Sequence, residues 1–177
     1  MPYGYFQVFL EKPVFPFFHV NQNHSINLVG PSEKIHNADG IIISKEEILK
    51  PLAIKTADCL PVILLGKKDV AFIHAGWRGL HQKIFKQDKL KKIKPYFAFI
   101  GPHICCDHFE VQKDFLRYFS KKNFLEKKSQ IFFNLTSEAK DQIKWLNPNI
   151  KIHLSSLCTW KDSQLHSYRR DQTNQRN

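Results

Sequence analysis

The stretch KTADCLPVILLGKKDVAFIHAGWRGL, residues 55–80, carries two apolar runs of strand length, PVILLG (61–66) and DVAFIH (69–74). Both are rich in β-branched and aromatic residues, as strands are. Cys59 stands just before the first run and His74 closes the second. Beyond His74, Gly76 is read as allowing a tight turn, and a helix is expected to begin after Gly79. That arrangement puts the His74 imidazole and the Arg78 guanidinium at the mouth of a sheet, where backbone N–H groups of a helix start can also meet an anion. Taken singly, His74 also reads as a hydrogen-bonded structural residue and Trp77 as core. In TADCLP a polar Asp58 and a thiol interrupt apolar sequence ahead of Pro61, so Cys59 is either a buried free cysteine or a loop thiol available for chemistry.

Working outward, further β-rich runs occur at GIIIS (40–44), LAIKT (52–56), YFAFIG (96–101), QIFFNL (130–135) and IKIHL (150–154). Helical patterns lie between them. The sequence after Gly79 reads as one Lys-rich amphipathic helix, and EVQKDFLRYFS places Val111, Phe115, Tyr118 and Phe119 on one helical face. A third helix is expected over 136–146, capped by Thr136 and ended before Pro148. The alternation lacks the strict regularity of a doubly wound fold. It predicts an α+β (mixed α/β) layered sandwich, a mixed β-sheet with flanking helices.

At 177 residues and 42% hydrophobic the chain suits a single domain, 1–177, with a core large enough to fold without disulfides. No signal-peptide pattern and no bilayer-length apolar run is present, so a soluble, cytoplasmic protein without a membrane partner is expected. Cys59, Cys105, Cys106 and Cys158 show no disulfide framework and are expected as reduced thiols. The formal charge of +11 concentrates in KIFKQDKLKKIK (83–94), KKNFLEKK (121–128) and the tail SYRRDQTNQRN. Without a recognition motif, these runs read as solvated helix faces and a solvated tail rather than a nucleic-acid surface. The charge would still draw an anionic small substrate.

His24, in NQNHSINLV, adds a third soft-to-borderline ligand. One cysteine with two histidines is a workable zinc set that leaves a fourth position open. Spacing alone argues weakly for it, because 35 residues separate His24 from Cys59 and 15 separate Cys59 from His74, with no close pair.

Three segments together, HNADGIII with LAIKTADCLPVILL, then IHAGWRGL, then IGPHICCDHFEV, resemble the YfiH family. That family was once grouped as laccase-like polyphenol oxidases and is described as purine nucleoside phosphorylase and adenosine deaminase enzymes, with peptidoglycan-editing relatives. The match runs from about His24 to Arg170, with Gly101, Pro102, Ile104, Glu110 and Val111 as anchors of the third segment. The resemblance implies a YfiH-like fold and a metal held by His24, Cys59 and His74. Zinc is the expected ion and copper the less favoured one. Ser25 stands where the family has glycine, which implies a different turn beside His24. A Gly-rich segment before His24 and a final strand after SYRRD are missing from the pattern, so the domain is read as shortened at both ends. Cys105 and Cys106 occupy positions that in the family often lack cysteine and are read as structural.

The function so implied is a zinc-dependent purine nucleoside phosphorylase with adenosine deaminase activity, taking a purine nucleoside and phosphate. Zinc would acidify a bound water to a pKa of about 7 for attack at C6 of adenine, and Arg78 would orient phosphate. Asp58 or Glu110 would move the proton. Arg169 and Arg170 are read as parts of the solvated tail. The rival enzyme reading is a metal-free Cys–His hydrolase, an amidase of peptidoglycan-precursor editing, with Cys59 as nucleophile and His74 as base. The non-enzymatic rival is a basic nucleic-acid-binding protein.

Overall fold

The computed structural model describes residues 6–33, 37–172 and 174–177. Met1–Tyr5 and His36 of the HNADG motif lie outside them. In chain order the strands are β1 (Phe18–His19), β2 (Leu28–Val29), β3 (Gly40–Ser44), β4 (Leu52–Ala53), β5 (Leu60–Leu65), β6 (Asp69–Ala75), β7 (Phe97–Ile100), β8 (Glu110–Val111), β9 (Phe124–Lys127), β10 (Gln130–Phe133) and β11 (Lys151–Leu154). The helices are α1 (Trp77–His81), α2 (Asp88–Lys92), α3 (Leu135–Leu146) and α4 (Tyr168–Asp171).

A six-stranded sheet in the order β11-β7-β5-β6-β3-β2 organises the molecule. Its centre, β7-β5-β6-β3, is antiparallel, and the outer pairs β11-β7 and β3-β2 are parallel. Residues 55–80 supply β5 and β6, the two central strands, and their apolar runs are nearly continuous because both faces are covered. Alternate residues divide between two cores, as the two-residue period of a strand requires. Leu60, Val62, Leu64, Ala71, Ile73 and Ala75 face Leu80, Ile84, Phe85 and the α3 residues Ala139 and Ile143. Leu65, Val70 and Phe72 face the opposite way with Ile41 and Ile43, under Phe6, Phe18 and Leu52. Each fully buried large side chain contributes about 1.5–3 kcal/mol relative to exposure. This is the layered α+β architecture read from the sequence.

Three helical expectations change. The single helix expected after Gly79 begins two residues before it, at Trp77, and ends at His81. Lys83 adopts φ 62, with Lys83 N–H bonded to Leu80 O (3.0 Å) and Ile84 N–H to Gly79 O (2.9 Å). This is a Schellman stop with lysine where glycine is usual. The Lys83 ammonium is held by Glu138 at 2.9 Å. The lysines of 83–94 are all exposed, as expected, but they lie on two short pieces rather than one helix.

The stretch EVQKDFLRYFS is a strand followed by a 3₁₀ turn, Lys113–Tyr118, because Val111 pairs with Ile131 and Phe119 is extended. Its aromatics still face inward; the Phe119 ring lies 4.3 Å from that of Phe133. The 121–128 lysines lie on a 3₁₀ turn and β9, not on a helix.

α3 starts one residue early, capped by Asn134, whose side chain accepts from Ser137 N–H at 2.9 Å. Asparagine is the stronger cap. Thr136 is instead drawn to His103 Nε2 at 2.6 Å.

The C-terminal tail is largely exposed, as expected, but it is tied down at Arg170 and Asn177. Arg170 donates to the carbonyls of Thr159, Trp160, Asp162 and Leu165 and to the Asp171 carboxylate. Asn177 exchanges backbone hydrogen bonds with Thr56 at 2.8 and 3.2 Å. Arg169 donates to Glu110 O at 2.9 Å and lies over the Phe109 ring.

Candidate metal centre

His24, Cys59 and His74 converge from three separate parts of the chain, and their ligand atoms all lie within 4.8 Å of one another. Cys59 Sγ is 3.9 Å from His24 Nε2, and the two imidazole centroids are 4.9 Å apart, edge to face. A tetrahedral ion bonded at about 2.0–2.3 Å would hold such atoms about 3.4–3.6 Å apart, so a small contraction would close the set.

Each ligand is placed by a local device. His74 is the penultimate residue of β6. Cys59 precedes β5 and follows Asp58, whose φ of 88 is a left-handed conformation costing a few kcal/mol for a non-glycine residue. His24 itself takes φ 59. The left-handed turn therefore lies at His24, and Ser25 does not need the family's glycine. Gly76 has ordinary extended angles, φ −83 and ψ 176, so it supplies space rather than turning freedom. A Cβ there would stand 2.9 Å from Cys59 Sγ and 3.2 Å from His24 Cδ2.

The residue that assembles the centre is Asp39, which is fully buried. Its carboxylate accepts from the backbone N–H groups of Asn23 (3.3 Å), His24 (3.0 Å) and Ser25 (2.6 Å) and from the Ser25 hydroxyl (2.9 Å). It also meets His74 Nδ1 at 2.8 Å, while its carbonyl accepts His74 N–H at 2.7 Å. Donation from Nδ1 to Asp39 leaves His74 Nε2 as the nitrogen that could hold a metal. Burial raises the Asp39 pKa, but the bonds from His74 and Ser25 outweigh it and hold the carboxyl below its ordinary 3.8.

Cys59 and His74 are electrostatically one unit. Burial pushes the thiol up, yet hydrogen bonds and charge from His24 and His74 bring it down from 9.0 to about 6. Burial lowers His74, and Asp39 and the Cys59 thiolate raise it from 6.5 to about 9. The Cys59 contribution to stability is present above pH 9 and fades as pH falls through about 6. That of His74 is present below 6.5 and fades as pH rises through about 9. Across the shared window the two run in opposite directions, since folding merely moves a proton from sulfur to imidazole. The expected readout is therefore ionisation rather than a sharp stability optimum. Ultraviolet thiolate absorbance of metal-free protein should rise with a midpoint near pH 6 and be absent from Cys59→Ala.

The other sequence candidates are placed differently. Both Asp58 oxygens are taken, one by the Thr159 hydroxyl (2.7 Å) and one by Arg169 N–H (2.7 Å), and Asp58 is not in the ligand cluster. Arg78 is exposed, its guanidinium 4.5 Å from the Trp77 ring centre. With only five residues, α1 has little dipole to offer an anion. Glu110 accepts from Gln130 at 3.0 Å.

The α+β sandwich is a fold shared with solved proteins. Neisseria meningitidis protein NMB0706 matches 91% of this chain and 72% of its own with a TM-score of 0.78 and 28% identity. Bacillus licheniformis YfiH has the same fold at a TM-score of 0.74 and 22% identity, covering 88% and 69% of the two chains. A family model described as multi-copper polyphenol oxidoreductase laccase matches residues 7–176. The chain belongs to this family, the YfiH family. An Aquifex aeolicus relative named purine nucleoside phosphorylase is 34% identical over 158 residues, 85% of this chain and 73% of its own. A Campylobacter jejuni relative of the same name is 32% identical over 180 residues, 94% and 75% of the two chains. A prokaryotic relative named adenosine deaminase is 31% identical over 98 residues, 51% and 37%. Among the described residues, no helix is long and apolar enough to cross a membrane.

Proposed function

We propose that the chain is a metal-dependent purine nucleoside phosphorylase that also deaminates adenosine, with zinc bound by His24, Cys59 and His74. The observation that carries this reading is the convergence of the three ligand atoms in front of Asp39, in a family whose named relatives act on purine nucleosides. The donor set fits the ion: one thiolate and two neutral imidazoles bind zinc, and a fourth position stays open. Zinc bound there supplies Lewis-acid polarisation.

The chain's own groups do the rest. Asp39 locks the His74 tautomer and holds the His24 loop, so the ligands need little reorganisation. Gly76 keeps the approach to Cys59 clear. Arg78, exposed and steadied by Trp77, presents its planar fork to phosphate. Asp58 pins the Cys59 turn to the C-terminal segment rather than shuttling a proton, because both its oxygens are already occupied. Phosphorolysis is then chiefly positioning of phosphate beneath C1′ and stabilisation of an oxocarbenium-like state.

The test is to measure bound zinc and copper, then to assay inosine and adenosine with and without phosphate. Phosphate-dependent release of base supports the reading, and inactivity on both nucleosides in metal-replete protein overturns it. Arg78→Ala should raise the phosphate KM about tenfold or more and leave adenosine deamination nearly intact, since deamination consumes water. Equal loss of both activities would assign Arg78 a structural role.

A second reading has its own observation. The line Cys59, His74, Asp39 also has the order nucleophile, base, orienting carboxylate of a Cys–His hydrolase acting on an amide. Activity that survives thorough chelation would favour it.

A further inference from the structure

Cys105, His108 and Cys158 form a second cluster of soft ligand atoms that shares no residue with the first. Cys105 Sγ lies 3.1 Å from His108 Nδ1, and Cys158 Sγ lies 3.9 Å from the same nitrogen. The three ligand atoms are all within 4.8 Å of one another.

The sheet dictates this meeting. β7 and β11 run parallel and adjacent, so the chain leaves both at the same end. Ser155 N–H bonds to Ile100 O at 2.8 Å and Thr159 N–H to His103 O at 3.1 Å, and these bonds carry the pairing past the strands and bring Cys158 beside Cys105. Cys105 N–H donates to Cys158 Sγ at 3.2 Å. On the other side, His108 N–H to Cys105 O, at 3.1 Å, closes the 3₁₀ turn Cys106–His108 and folds Cys105 and His108 onto one ion-sized space. The His108 ring is stacked on Trp160, centroids 4.1 Å apart at 15°, which holds the plane of the ring, while Nδ1 is the edge turned to Cys105. A close ligand pair separated by two residues, joined by a third ligand distant in the chain, is the kind of spacing by which zinc sites are recognised, here with histidine in place of the second cysteine. The first centre has no such close pair.

We propose that Cys105, His108 and Cys158 bind a thiophilic divalent ion of the zinc class. Two thiolates neutralise the charge of such an ion, and sulfur selects it over magnesium or calcium. The protons of Cys105 and Cys158 pass to solvent as it binds. Both cysteines also line a cavity of about 430 Å³ together with Thr136, Ser137 and Lys140. Because both thiols line it, that cavity could supply water or a small ligand as a fourth ligand. Binding there ties the loop after β7 to the loop after β11. The proposal does not rest on the nucleoside reading.

The experiment uses full-length Cys59→Ala, which has lost the thiolate of the first centre, purified under reducing conditions and stripped of metal. Titration with Co²⁺, a visible stand-in for zinc, should show about one equivalent bound with sulfur-to-cobalt charge-transfer absorbance. Adding Cys105→Ala or His108→Ala should weaken binding by more than the roughly 10–100-fold that loss of an outer partner costs. Both residues lie on a half-exposed turn, and circular dichroism of each variant should match the parent, whereas the more deeply buried Cys158 is left intact. Failure of Cys59→Ala to bind cobalt, binding without the charge-transfer band, binding indifferent to Cys105 and His108, or a Cys105–Cys158 disulfide persisting under reductant would each overturn the proposal. None of these outcomes changes the metal content of the first centre or the nucleoside assays in wild-type protein.

Discussion

Cys59→Ala is expected to lose one equivalent of metal relative to wild type and to lose nucleoside turnover with it, by on the order of a thousandfold, the scale on which preorganised electrostatic groups act. Sulfur supplies the only negative charge in the ligand set, and two neutral imidazoles left alone cannot neutralise a divalent ion as a thiolate does. The loss is chemical rather than structural. Cys59 is not part of either apolar core and alanine fits the space, so metal-free variant and metal-free wild type should both unfold cooperatively, the variant's midpoint being lower only by what the thiolate contributes above about pH 6. Metal analysis, turnover and a denaturant titration on the same preparations check the three statements. If instead wild type remains active after its metal is removed while Cys59→Ala is dead, the thiol is a nucleophile and the hydrolase reading stands.

Asp39 carries the second large effect. Asp39→Ala should destabilise the protein by about 2–4 kcal/mol, because it leaves backbone donors of the His24 turn and the His74 ring without their acceptor in a buried place. Asp39→Asn separates positioning from folding. The amide keeps the size but only one acceptor oxygen: turned to His74 Nδ1 and His24 N–H it sets its NH₂ against the Asn23 and Ser25 donors, and turned to those it sets its NH₂ against His74, so either the His24 loop or the His74 ring loses its acceptor. Metal affinity at the first centre should fall about 10–100-fold with a much smaller shift of the denaturant midpoint. Equal stability loss in both variants, with metal affinity unchanged in Asp39→Asn, would make Asp39 a purely structural residue.

Asp39 also marks the limit of what could be read in advance. The central strands were legible because LPVILL and DVAFIHA are buried on both faces and leave an uninterrupted apolar signature. The ends of those strands were legible too, with Cys59 and His74 as the chemically anomalous residues there. His24 was identifiable by resemblance, not by spacing. Asp39 sits in the quoted motif HNADG, yet a single aspartate before a strand has no periodicity to expose it. Its importance comes from groups of the 23–25 loop and of β6 that only the fold assembles around it. Arg170 looked like part of a charged tail for a similar reason: its carbonyl partners lie on a loop that passes beside it only after folding.

The amino-acid sequence by itself determined the layers and the central strands and marked Cys59 and His74 as the chemically anomalous residues at their ends, since apolar periodicity and donor chemistry are local properties of the chain. Tertiary structure decided which donors share a point in space. A parallel neighbour brings Cys158 to the Cys105-x-x-His108 turn, a buried carboxylate gathers His24 toward His74, and Lys83 stops a helix that periodicity would have continued. Each depends on chain separations bridged by strand pairing or by a buried hydrogen bond, and those contacts form only when the sheet closes.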